Sequence, residues 1–143
     1  MKRIAILFAV FLSLAADQPS DAAKKDLDKL QGEWKAEKAQ RGGKDVAASD
    51  LEKLKLTFKG DSLTIDVGDA RLEKAAIVLN PSKAPATIDL KSVRAGGDTA
   101  LGIYKLDGNT LTICWAKEGE RPTEFASTSG AEQVLMVLKR VKK

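Results

Sequence analysis

Histidine is absent from this chain of 143 residues, and cysteine occurs once, at Cys114. Without histidine the usual general base, the commonest zinc ligand and the Ser/His and Cys/His nucleophile pairs are all missing, which closes most hydrolase chemistry. A single cysteine builds no disulfide framework, so the fold must rest on its hydrophobic core. Cys114 itself reads as a small buried hydrophobe rather than a reactive thiol. Aromatics are scarce too: beyond Phe8 and Phe11 there are only Trp34, Phe58, Tyr104, Trp115 and Phe125. Base stacking on single-stranded nucleic acid needs aromatic faces along a basic groove, and this chain interleaves no such residues, so nucleic acid is not an expected partner. Asp61, Asp66 and Asp69 crowd one hairpin, but without the spacing that gives a calcium loop its six or more oxygens. They read as solvated turn carboxylates, and no scattered Asp/Glu pair stands out as a glycosidase couple. The expectation is therefore a non-enzymatic protein with no catalytic residue, no metal and no cofactor.

What is present begins at the N-terminus. Met1-Lys2-Arg3 is a short basic start, and Ile4 to Leu14 is apolar apart from Ser13. Ser13-Leu14-Ala15 places small residues at the −3 and −1 positions of a signal-peptidase site. The apolar run is about half the roughly 20 residues a membrane-spanning helix needs. Residues 1–15 thus read as a signal peptide cleaved after Ala15 or Ala16, leaving no transmembrane anchor. No cysteine directly follows for lipid attachment, and no twin-arginine pair precedes the run. The protein is expected to be exported, to the periplasm or outside the cell. Removing residues 1–15 leaves 128 residues with 22 basic against 20 acidic side chains, net +2. That is one domain with little general attraction for polyanions. The cluster Lys139, Arg140, Lys142 and Lys143 reads as a solvated tail.

Residues 16–22 read as a flexible lead and 23–143 as the folded domain. Ala23, Leu27 and Leu30 fall at i, i+4, i+7, one face of a short helix that Ser20 or Asp21 is placed to cap and Gly32 to end. The period then changes to two. Glu33–Gln40 is a first strand closed by Arg41-Gly42-Gly43-Lys44, and Ser49-Asp50-Leu51-Glu52 has the spacing of a capping box. Leu54, Leu56 and Phe58 alternate with polar residues, as do Leu63, Ile65 and Val67 after the Gly60-Asp61 turn. Further strands run through Ile77 and Leu79, Ile88 and Leu90, Leu101 and Ile103, and Leu111, Ile113 and Trp115. Asp107-Gly108-Asn109 is a hairpin signal. Residues 117–133 are loop, and Val134–Val141 is the last strand. About eight strands in series, without helical crossovers, predict an all-β antiparallel up-and-down barrel with a short N-terminal helix; a sandwich is the alternative. Because Val134 to Leu138 is apolar on both faces, the helix is expected to cover the outside of that strand.

Leu30-Gln31-Gly32-Glu33-Trp34, a helix end running into a Gly-x-Trp strand, resembles the opening motif of the lipocalins. Arg140 stands where lipocalins place an arginine across that tryptophan at the barrel base, whereas their central Thr-Asp-Tyr type motif has no counterpart. A closer resemblance is to a planctomycete-type family of small exported lipocalin-like domains of unknown function. It is carried by Leu30–Trp34, Leu54-Lys55-Leu56-Thr57-Phe58, Pro85–Leu90, Leu101-Gly102-Ile103-Tyr104 and Arg121-Pro122-Thr123-Glu124-Phe125, in order along nearly the whole mature chain. The resemblance implies a barrel fold and an extracytoplasmic address; it carries no activity.

Two constellations stand out. Trp34 with Arg140 reads as a structural plug at the barrel base, the guanidinium stacked on the indole, rather than as a ligand floor. Arg121, Glu124 and Phe125 in the longest loop, together with Tyr104, are the candidate contacts for a ligand or partner. The plainer reading there is an Arg121–Glu124 pair that pins the loop, with Phe125 sealing a barrel end. The alternating strands point fifteen mostly large side chains to one side, Leu101 and Ile103 among them, and an eight-stranded barrel is only just wide enough to be filled by them. The expected function is therefore a non-enzymatic module acting through its surface or loops on a partner protein. The alternative is a carrier of a small apolar ligand in the barrel.

Overall fold

The structure, a computed structural model, describes residues 20–68, 72–93, 98–116, 120–127 and 133–141. Helix α1 (Asp21–Leu30) leads into β1 (Gly32–Arg41), β2 (Lys44–Asp45), the single-turn α2 (Ala48–Leu51), β3 (Lys55–Lys59), β4 (Ser62–Asp66), β5 (Leu72–Asn80), β6 (Ala86–Ser92), β7 (Thr99–Asp107), β8 (Thr110–Ala116) and β9 (Gln133–Arg140). From β3 onward each strand pairs antiparallel with the next, and β1 pairs with both β3 and β9, which closes an eight-stranded up-and-down barrel of the lipocalin kind. The two residues of β2 fold back on the end of β1. Gly42 and Gly43 make that turn at φ 58° and 82°, the paired positive values that a tight two-residue hairpin loop needs and a side chain resists.

Ser20 caps α1 by accepting from the Ala23 amide at 3.1 Å. The capping-box reading of Ser49 fails: α2 begins at Ala48 behind Ala47, which offers its first turn no side-chain bond. A bulge falls between Ala36 and Lys38 in β1. It keeps Trp34, Ala36 and Ala39 facing in and Lys38 facing out, where strict alternation would bury the lysine.

The barrel interior is one contiguous cluster of buried side chains that includes Trp34, Leu56, Phe58, Leu63, Ile77, Ile88, Leu90, Leu111, Ile113, Trp115, Val134, Met136 and Leu138. Strand β7 corrects the sequence reading. Leu106 faces Leu111, Tyr104 faces Ile113 and Gly102 faces Trp115, so Leu101 and Ile103 point outward. Gly102 takes the inward slot because nothing larger fits: a Cβ there would lie 2.7 Å from the Cys114 carbonyl oxygen and 2.9 Å from Trp115 Cβ. Ile88 Cγ2, 3.3 Å from the same point, closes the slot from the neighbouring strand.

The cover over β9 also differs from expectation. Val134, Met136 and Leu138 point into the barrel, and α1 does not lie over the outside of that strand. Instead α1 closes the barrel end where β1 begins and β9 finishes. Leu30 is fully buried there with Leu27 packed on the core. The Gln31 side chain ties the helix to the β3–β4 turn, donating to the Gly60 carbonyl at 2.9 Å and accepting from the Gly60 amide at 2.8 Å. The outer face is covered by residues 120–127 of the β8–β9 connection, a strap laid across the barrel wall. Beneath it Ile103 and Cys114 are as buried as the interior residues. The Cys114 thiol donates to the Ala126 carbonyl at 3.3 Å, and burial pushes its pKa up.

Candidate functional site

Trp34 and Arg140 face each other across β1 and β9 at the barrel base. The Arg140 guanidinium lies 4.3 Å from the centre of the Trp34 ring, and Trp34 Nε1 donates to the Leu30 carbonyl at 2.8 Å. Arg140 Nη1 donates to the Gln31 carbonyl at 3.0 Å, Nη2 to the Lys29 carbonyl, and Nε to Asn109 Oδ1 at 3.3 Å. A helix leaves its last carbonyls without intrahelical donors, with a partial negative charge. Trp34 and Arg140 take the Leu30 and Lys29 carbonyls at the end of α1, Gln31 takes those of Leu27 and Asp28, and the helix is bolted to β1, β9 and the β7–β8 turn.

Beside this base, between α1 and the barrel rim, opens a cleft of about 570 Å³. Asp26 and Lys29 line it from the helix, Pro81 and Pro85 from the β5–β6 turn, and Tyr104 and Lys105 from β7. Ala86, Leu106, Gly108, Phe125 and Arg140 complete the walls. Tyr104 is buried and donates from its hydroxyl to Asp26 Oδ2 at 2.5 Å. Burial first, then the hydrogen bond and the negative charge of Asp26, drive the phenol well above the ordinary tyrosine range, so it stays a neutral donor. Phe125 lines the cleft from the strap, with Lys105 Nζ 5.6 Å from the centre of its ring.

Arg121 and Glu124 are elsewhere. Arg121 pairs with Asp89 on β6, not with Glu124, correcting the expected loop pair. Nη2 stands 2.8 Å from Asp89 Oδ1, an oxygen closed off from solvent, while Nη1 donates to the carbonyls of Gly102 at 2.8 Å and Ile88 at 3.3 Å. The N–H vectors serve the carbonyls and the carboxylate is held chiefly by charge, so Arg121 pins the strap to the β6–β7 seam. Pro122 is buried beside it and Glu124 is exposed. Of the four candidate contacts the structure therefore gathers Tyr104 and Phe125 in the cleft and leaves Arg121 and Glu124 on the strap. Asp26, Lys29 and Lys105 escaped sequence reading. They carry no motif, and only their closure around Tyr104, 78 residues from Asp26, makes them neighbours.

Among the described residues no group of three His, Cys, Asp or Glu side chains is placed to hold a metal ion. Asp66 Oδ1 accepts from the Gly68 amide at 2.9 Å, a local turn bond, and Asp69 lies outside the described residues. No protein-family model matches the chain, and no curated protein matches its sequence.

Proposed function

We propose that the chain is a non-enzymatic, exported barrel module that acts through its outer surface and loops, with no ligand held in the barrel. The observation carrying this reading is the interior. Its inward side chains form one contiguous apolar cluster, and the cleft lies at the rim, against α1 and the strap. An eight-stranded barrel filled by large side chains has no room left for a hydrophobic passenger. Kinship of fold with the lipocalins favours the second reading, a carrier of a small apolar ligand, but fold alone does not assign function.

Titration of the mature protein with retinol, an uncharged apolar probe, separates the two. No saturable uptake is expected, whereas a micromolar one-to-one complex overturns the surface-acting reading. The exported address rests on residues 1–15, which lie outside the described residues. N-terminal sequencing of material recovered from the producing cell is expected to begin at Ala16 or Asp17. An intact Met1 in a membrane fraction would remove the extracytoplasmic half of the proposal. Membership in the planctomycete-type lipocalin-like family belongs with this proposal, supported by the five ordered stretches and by the barrel they fold into.

A further inference from the structure

We propose that the rim cleft between α1 and the barrel binds a small amphiphilic monocarboxylate, an aryl or short acyl acid. This inference rests on the reading that the barrel works from its exterior. The cleft's volume of about 570 Å³ is within the range of small-molecule sites. Its charge is the more telling feature. Lys29, Lys105 and Arg140 face it, against one carboxylate, Asp26. Asp26 is committed to the Tyr104 hydroxyl. Among the described residues no carboxylate lies within ion-pair distance of any of the three cations.

Arg140 spends its donors on carbonyls and an amide oxygen, none of which neutralises it. Lys105 is steadied over the face of Phe125, so a cation is fixed at the cleft wall by a ring quadrupole instead of a counter-ion. The cleft thus presents net positive charge, three cations against the single carboxylate of Asp26. Phe125, Leu106, Pro81 and Pro85 give it apolar walls. A neutral apolar molecule would strip water from the cations without repaying them. A polyanion would gain little from the apolar walls and would meet Asp26. An acid with one negative charge and an apolar body satisfies both halves. Its carboxylate sits at Lys105 and Lys29, and its body lies along Phe125 and Leu106.

The test is calorimetric titration of the mature protein with 2-naphthoate, with 2-naphthylmethanol as the uncharged analogue. Naphthoate is expected to bind one-to-one with sub-millimolar affinity and the alcohol about tenfold or more weaker. Lys105→Met, an exposed change that keeps the stem, and Phe125→Ala should each weaken naphthoate about fivefold or more, while Lys91→Met on the far part of β6 stays within about twofold. Amide chemical shifts locate the ligand, and those of Tyr104, Lys105 and Leu106 are expected to move together. No saturation by naphthoate, equal affinity for the alcohol, or an unchanged Lys105→Met overturns the proposal and leaves the surface-acting reading standing. Shifts centred on Ile113 and Met136 would place the ligand inside the barrel and overturn both.

Discussion

Replacing Trp34 with alanine is expected to lower stability by about 3–5 kcal/mol, the usual result of truncating a large aromatic in a closed core. The residue is fully buried, and three connections fail together. Its contacts with the interior cluster go, the Leu30 carbonyl loses the indole N–H, and the Arg140 guanidinium loses the ring it lies on. A domain of this size is stable by only about 5–15 kcal/mol in total, so the loss is a large fraction of what holds it folded. Arg140→Ala should cost less, since its three hydrogen bonds lie at the more open edge of the base. The two changes act on one contact, so a double-mutant cycle followed by urea denaturation should show a coupling of about 0.5 kcal/mol or more. Strict additivity, with unchanged m-values, would mean that helix and barrel are fastened independently by the two residues.

Much of this architecture is legible in the chain because it is local. A two-residue turn such as Gly108-Asn109 specifies its own hairpin, and alternation through Leu54, Leu56 and Phe58 specifies which face of that strand is buried. The Ser20 cap is likewise set within one turn of helix. Apart from the start of α2, the misreadings have a non-local cause. In β7 the apolar residues Leu101 and Ile103 look like the inward pair, yet the turn at Gly108-Asn109 puts Leu106 opposite Leu111 and so carries Tyr104 and Gly102 inward. The turn thus held the right register. What hid it was that Ile103 is buried from the outside, by a strap whose own sequence is loop-like.

The outward residues of the two-faced apolar stretch, Leu135 and Val137, are half-buried. Leu135 faces outward beside Cys114, whose thiol meets the strap at Ala126, and α1 closes the barrel end instead. Arg121 was legible as a residue with a job but not as the partner of Asp89, because an ion pair across 32 residues leaves no spacing to read. The cleft is the extreme case. Its cations come from α1, β7 and β9; Arg140 is legible as the partner of Trp34, but Lys29 and Lys105 look like ordinary surface charges until the barrel closes and α1 lies down across it.

Ile113→Ala tests whether the interior is packed or merely lined. Ile113 is fully buried on β8, facing Tyr104 on one side and Met136 on the other. In a filled barrel its neighbours are held by the closed hydrogen-bonded wall and collapse only in part into the vacated space. The cost is then the transfer free energy of the lost carbons plus the cavity left behind, about 2–5 kcal/mol. That cavity is apolar on every side and stays dry, so xenon under pressure should raise the melting temperature of the variant while leaving the parent unchanged. In a carrier the same side chain lines a pre-existing void. Truncation there would cost well under about 1 kcal/mol and alter ligand affinity instead, because the removed atoms had few partners to lose. A small stability loss, together with xenon binding by the unmodified protein, would therefore move the ligand site from the rim to the inside of the barrel.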